Sequence, residues 1–133
     1  MSEEESGGRP VGVQVSVLVV DDHDDAREVM LAFLRANGFA ADGARDGIQA
    51  LHRLGDGGSF DLVILDLIMP RLDGHEFLRR LRALPGAQGQ VPVVVVTGTD
   101  VAADGVEGAS AWFRKPAPLE DLLETVQRLG SRS

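Results

Sequence analysis

Phe60-Asp61-Leu62-Val63-Ile64-Leu65-Asp66 sets four apolar residues, two of them β-branched, in an unbroken run directly before a carboxylate. A surface helix would interrupt such a run with polar residues, and a strand with one wet face would alternate. An unbroken apolar run of this length reads instead as a strand buried on both faces. The same form recurs in Val15-Ser16-Val17-Leu18-Val19-Val20, which ends in Asp21-Asp22, and in Val91–Val96, which ends in Thr97. Ala109–Phe113, just before Lys115-Pro116, is a shorter buried candidate, and Phe39–Ala44 a short, weak strand.

Between these runs the period changes from strand to helix. After Asp25, the residues Ala26, Val29, Met30, Phe33 and Leu34 recur at helical spacing; Asp25 with Glu28 suggests a capping box, and Asn37-Gly38 a stop. A second helix is predicted over 47–54, and a third carries Phe77, Leu78 and Leu81. A last one runs from Pro118 to Leu129, with proline at an early helical position, and buries Leu119, Leu122, Leu123 and Val126. Asp73-Gly74 reads as turn chemistry. Five strands alternating with helices, three of them apolar throughout, call for a parallel sheet covered on both faces and joined by right-handed crossovers. The predicted fold class is therefore α/β, a doubly wound five-stranded parallel sheet. One domain over 13–130 is expected, preceded by a disordered tail over 1–12 and followed by a short tail over 131–133.

Composition excludes several chemistries. The absence of cysteine removes disulfides, thiolate nucleophiles and cysteine-bound clusters. The formal charge of −8 works against binding a phosphate backbone, so nucleic acid is not expected as a partner. No apolar run approaches the roughly 20 residues that span a bilayer, and the acidic N-terminus is no signal peptide. A cytoplasmic protein without membrane contact is expected. His23, His52 and His75 show no metal-ligand spacing; His23, beside the acidic pair, has an influence on cation binding as one reading and a surface histidine as the preferred one, and His75 reads as an exposed helix residue.

In doubly wound sheets the functional groups gather where the carboxyl ends of the strands open into a crevice. Asp21, Asp22, Asp66, Thr97 and Lys115 all fall at such ends. Carboxylates at one edge repel by about 4 kcal/mol per pair at 4 Å with an effective dielectric near 20, so positive charge must sit among them. Lys115 is one source. A hard divalent cation, with Mg²⁺ the natural candidate, is the other, held by Asp22, Asp66 and a backbone carbonyl near Ile68. With those charges in place one carboxylate can attack phosphorus, while Lys115, the Thr97 hydroxyl and nearby amides neutralise the phosphoryl oxygens.

Val-Leu-Val-Val-Asp21-Asp22, Leu-Val-Ile-Leu-Asp66-Leu-Ile-Met69-Pro70-Arg-Leu-Asp73-Gly74, Val-Val-Val-Val-Thr97-Gly98 and Lys115-Pro116 resemble, in order, the motifs of the response-regulator receiver family, and the likeness covers about residues 13–129. The resemblance implies the flavodoxin-like strand order 2-1-3-4-5. It implies that Asp66 is the phosphoacceptor, that Asp21 and Asp22 hold Mg²⁺, that Thr97 is a switch hydroxyl and that Lys115 pairs with the phosphoryl oxygens. It also implies a histidine kinase or phosphotransfer protein as donor, and a signalling phosphoacceptor that assists its own phosphorylation and dephosphorylation rather than an enzyme. With the sequence ending at Ser133, output by contact with an unknown target protein is expected, from a monomer or weak homodimer.

Two departures stand out. Trp112 occupies the position where the family usually carries Tyr or Phe as a rotamer switch. The stretch from Thr97 to Lys115 is about four residues short of the usual length, close to one helical turn. Its fourth helix is therefore expected to be shortened, displaced or partly unwound.

Three other readings remain at this point. A haloacid-dehalogenase-type phosphatase also uses a strand-end Asp, but needs an acid two residues later, where this chain has Ile68. The apolar residue there also implies a long-lived phosphoaspartate. A flavodoxin-like flavin carrier would need a Ser/Thr-rich phosphate loop in place of Asp-Asp-His-Asp-Asp. The third is a receiver-like binding module that acts without phosphorylation.

Overall fold

The computed structural model describes residues 14–56, 59–67, 72–98 and 106–131. The expected tail over 1–12 and the last two residues lie outside them, whereas Ser131 is the C-cap of the final helix.

Five parallel strands form one sheet in the order β2-β1-β3-β4-β5, with β1 at Ser16–Val20, β2 at Ala40–Ala44, β3 at Leu62–Leu65, β4 at Val93–Thr97 and β5 at Ala111–Arg114. This is the expected 2-1-3-4-5 arrangement. The three central strands are the three apolar runs, because only a strand flanked by neighbours and roofed on both faces can bury every side chain. The strands are shorter than the runs: Val15 and Phe60 pack only partly buried beside their strands. Asp61 lies ahead of β3, where its Oδ2 accepts the Ser16 amide at 2.8 Å and ties the start of β1 to the start of β3.

Alternate side chains of each strand divide the core into two layers. Leu18, Val20, Val63, Leu65, Val93 and Val95 face α2 (Gly47–Gly55) and α3 (Gly74–Arg82). Val17, Val19, Leu62, Ile64, Val94 and Val96 face α1 (Asp24–Ala36) and α4 (Leu119–Gly130). Phe77, Leu78 and Leu81 are buried as expected, and His75 is exposed.

Several helical details differ from the sequence reading. Helix α1 starts two residues earlier than a cap at Asp25 would place it, with His23 as N-cap and no side-chain cap bond, so Asp25 lies inside the helix and forms no capping box with Glu28. Its inner face is Leu31 and Leu34, with Met30 and Phe33 partly buried; Ala26 is exposed and Val29 is 69% exposed. On β2, Gly43 offers α1 no side chain, and Arg27 packs there instead, its Cδ lying 2.9 Å from where a Gly43 Cβ would stand. Asp42 turns to the other face, where Arg53 of α2 lies 3.9 Å from its carboxylate. In α4, Pro118 is the N-cap rather than an early helical residue. Leu119 is 52% exposed, and the inner face is Leu122, Val126 and Leu129, with Leu123 partly buried.

The strand expected as a fourth buried run, Ala109–Phe113, is instead the edge strand β5. Its residues alternate between half-buried and exposed. An edge strand has one neighbour, here β4, so only Ala111 and Phe113 turn into the layer beneath α1 and α4. Among the described residues no helix joins β4 to β5; Val106–Ser110 make a turn, with the Ala109 amide donating to the Val106 carbonyl at 3.0 Å. Residues 99–105, on which the expectation of an altered fourth helix rests, lie outside the described residues.

Arg82 was not singled out by periodicity, yet it ties this connection to the rest of the fold. Its guanidinium donates to the carbonyls of Gly89 (3.0 Å), Val91 (2.7 Å) and Gly108 (2.6 Å from Nη2, 3.2 Å from Nε). Burial lowers its pKa below the usual arginine value, but an arginine stays charged in a folded protein. Hydrogen bonds to a charged donor contribute about 1.5–3 kcal/mol. Arg82→Met keeps the stem and removes the donors, and is expected to lower stability by about 2 kcal/mol in urea denaturation. A loss under about 0.5 kcal/mol would show that water replaces the guanidinium without cost.

Candidate functional site

The parallel ladder builds one edge of the site. Val20 pairs with Leu65 across β1 and β3, and the Asp66 amide then donates to the Val20 carbonyl at 3.0 Å. The Asp21 amide donates to the Ala44 carbonyl at 3.1 Å. These bonds carry the sheet one residue beyond its strands and set Asp21 and Asp66 side by side, 8% and 7% exposed. On the other side of β3, Leu65 pairs with Val95, and Thr97 at the end of β4 is fully buried. Thr97 pairs with Arg114, and the Lys115 amide donates to the Thr97 carbonyl at 2.9 Å. Lys115 thus leaves the sheet two strands from Asp66 and reaches back across the crevice.

Its ammonium lies 3.4 Å from Asp66 Oδ2 and 3.6 Å from Asp21 Oδ2. Asp21, Asp22, His23 and Asp66 each offer a ligand atom, all within 4.8 Å of one another. The structure brings Asp21, Asp22, Asp66 and Lys115 together, with Thr97 at the neighbouring strand end. Ile68, whose carbonyl was expected to complete a cation site, lies outside the described residues, as do Met69 and Pro70. Trp112 stands opposite Val95 in the β4–β5 ladder and is 39% exposed.

Backbone contacts bring the start of α3 against Leu67, the residue after Asp66. The Gly74 amide donates to the Leu67 carbonyl at 2.9 Å, and a Cβ on Gly74 would lie 2.6 Å from the Leu67 Cα. Only glycine permits that approach. Asp73 caps α3 by accepting the Glu76 amide at 2.9 Å, the turn role expected of it.

Two residues contribute more here than their sequence context suggested. Arg27 donates to the Asp21 carbonyl at 2.8 Å and to Asp24 Oδ1 at 2.7 Å, so a cation backs the acidic loop from α1. His23 donates its amide to Asp21 Oδ1 at 3.0 Å and places Nδ1 3.5 Å from Asp22 Oδ1. His23 is adjacent to its partners in the sequence, whereas the spacing from Asp21 to Arg27 becomes meaningful only once the loop is folded back on α1.

The donor set suits a hard cation. Asp21, Asp22 and Asp66 supply carboxylate oxygens, the ligands such ions take. Asp22 Oδ1 is buried and accepts no hydrogen bond. A buried carboxylate oxygen without a donor is costly unless positive charge meets it, so the residues present fit a divalent ion.

Residues 17–127 match the family model of the response regulator receiver domain. The response regulator MprA of Mycobacterium tuberculosis is 36% identical over 125 residues, covering 91% of this chain and 53% of its own length. The chain therefore spans about half the length of the curated relatives it matches. Among solved structures, a response regulator receiver protein from Pseudomonas putida aligns with a TM-score of 0.79 at 30% identity, covering 89% of this chain and 99% of that one. The receiver domain of the sensor histidine kinase PA1611 from Pseudomonas aeruginosa aligns with a TM-score of 0.80 at 26% identity, covering 90% of this chain and all of that one (100%). In that structure a magnesium ion is coordinated in the active-site cleft.

The chain belongs to the response regulator receiver domain family, and is a receiver domain of two-component signalling. Among the described residues no helix is long and apolar enough to cross a membrane.

Proposed function

We propose that this receiver domain accepts a phosphoryl group on Asp66 from a histidine kinase or histidine phosphotransfer protein, in a Mg²⁺-dependent reaction, and signals by protein contact as a phosphoacceptor rather than an enzyme. The observation that carries this reading is the buried Asp66 carboxylate with the Lys115 ammonium at 3.4 Å and two further carboxylates beside it.

In the transfer, an Asp66 carboxylate oxygen forms a bond to phosphorus as the P–N bond to the donor histidine breaks, and the departing imidazole keeps the electron pair and takes up a proton. Asp21, Asp22 and Asp66, with the Ile68 carbonyl, would hold Mg²⁺. When bound, the ion neutralises carboxylate and phosphoryl charge, the main requirement of phosphoryl transfer. Lys115 sits between Asp21 and Asp66 and turns to the incoming phosphoryl oxygens, with the Thr97 hydroxyl as a further donor. Trp112, half-exposed on the strand that delivers Lys115, is the side chain placed to report the change at the surface. Ile68 supplies no acid or base to orient a hydrolytic water, so the phosphoaspartate is long-lived.

The test is transfer of labelled phosphoryl from a phosphorylated histidine kinase. Stoichiometric labelling that requires Mg²⁺, is stopped by a chelator and decays over minutes or longer without a phosphatase supports the reading. Decay within seconds would refute the long lifetime. Failure to label with several donors would favour a module that works without phosphorylation.

A further inference from the structure

We infer that His23 is an additional ligand of the cation site, and that it turns a site of oxygen ligands into one that takes a first-row transition ion such as Zn²⁺ in preference to Mg²⁺. The inference rests on the proposed cation site and adds to it a nitrogen donor.

His23 follows Asp22 directly and is the N-cap of α1, in extended backbone at φ −84° and ψ 115°. Its amide donates to Asp21 Oδ1 at 3.0 Å, which fixes the turn of the loop. Its Nδ1 lies 3.5 Å from Asp22 Oδ1 and 3.6 Å from Asp21 Oδ1. Asp22 Oδ1 is the buried oxygen that accepts no hydrogen bond. The imidazole nitrogen therefore faces a buried oxygen of the cluster that accepts no hydrogen bond. Two ligands each about 2.0–2.1 Å from one ion stand roughly 3 Å apart, so a small closure of this pair would let a single cation meet both. The imidazole is otherwise open to solvent, its side chain 73% exposed, so nothing packed around it resists that movement.

The ligand chemistry then sets the choice of metal. Carboxylate, carbonyl and water suit Mg²⁺, whereas imidazole suits Zn²⁺, Ni²⁺ and Cu²⁺ and adds little for Mg²⁺. A protonated imidazole paired with two aspartates would occupy the same place, and metal titration separates the two.

The experiment is calorimetric titration of the whole chain with Mg²⁺ and, separately, Zn²⁺, for the natural protein, His23→Ala and Asp66→Ala. His52→Gln and His75→Gln report Zn²⁺ bound elsewhere. The natural chain is expected to bind Zn²⁺ more tightly than Mg²⁺, and His23→Ala to reduce the ratio of Zn²⁺ to Mg²⁺ affinity at least roughly tenfold. Asp66→Ala should weaken both cations, and the other two histidine variants should leave the ratio where it was. Retained Mg²⁺ binding with an unchanged ratio in His23→Ala would overturn this inference and leave the proposed function standing. Absence of Mg²⁺ binding in the natural chain would overturn both.

Discussion

Lys115→Ala is expected to slow phosphorylation of the receiver by on the order of 10²- to 10³-fold, the usual cost of removing one fixed donor from a site where anionic charge accumulates. The ammonium stands 3.4 Å from Asp66 Oδ2 and 3.6 Å from Asp21 Oδ2, and the ladder bond from its own amide to Thr97 fixes where its stem begins. No other lysine is present in the sequence, so none can take its place. The same change should strengthen Mg²⁺ binding severalfold, because a competing positive charge leaves a cluster of three carboxylates. Rate and affinity therefore move in opposite directions. A merely structural lysine would lower both or neither. Stopped-flow transfer kinetics and a Mg²⁺ titration on the same variant check the pair; a rate within about threefold of the natural chain would remove Lys115 from the mechanism.

Phe77→Ala is expected to cost about 3–5 kcal/mol, against a total stability of about 5–15 kcal/mol for a domain of this kind. Phe77 is fully buried on α3, in the layer that also holds Val20, Leu65 and Val95. A Cβ added to Gly47 would lie 3.4 Å from its own Cβ, so the ring lies close to the start of α2. The cavity left by its removal is bounded by strands on one side and two helices on the other, with little freedom to collapse. Urea denaturation gives the number, and a loss below about 1.5 kcal/mol would mean that this layer repacks far more readily than its burial implies.

The fold was legible because burial imposes a strong pattern on sequence. Val17–Val20, Leu62–Leu65 and Val93–Val96 are apolar throughout because both faces are covered, and each ends at a polar residue because the sheet ends there. The acidic residues and Lys115 could be grouped from strand ends alone, since in a parallel sheet those ends share one edge. What pattern could not supply was anything set by a partner distant in the chain. Val29 fits the periodicity of α1 as well as Leu31 does, and only the way the helix lies against the sheet decides that Leu31 goes in while Val29 stays 69% exposed. Leu119 fits the last helix equally well, yet stands on its first, outward turn. The half-exposure of Ala111–Arg114 follows from being last in the strand order, a property of the whole sheet. Arg82 was passed over for the same reason: it acts through the carbonyls of Gly89, Val91 and Gly108, which the chain brings to it only after folding.

The most direct test of the proposed chemistry is intact mass after incubation with Mg²⁺ and acetyl phosphate, with Asp66→Asn in parallel. One added phosphoryl group, requiring Mg²⁺ and absent from the variant, is the result expected if Asp66 is the acceptor. Equal phosphorylation of Asp66→Asn, or none in the natural chain with acetyl phosphate and with histidine-kinase donors alike, would contradict it.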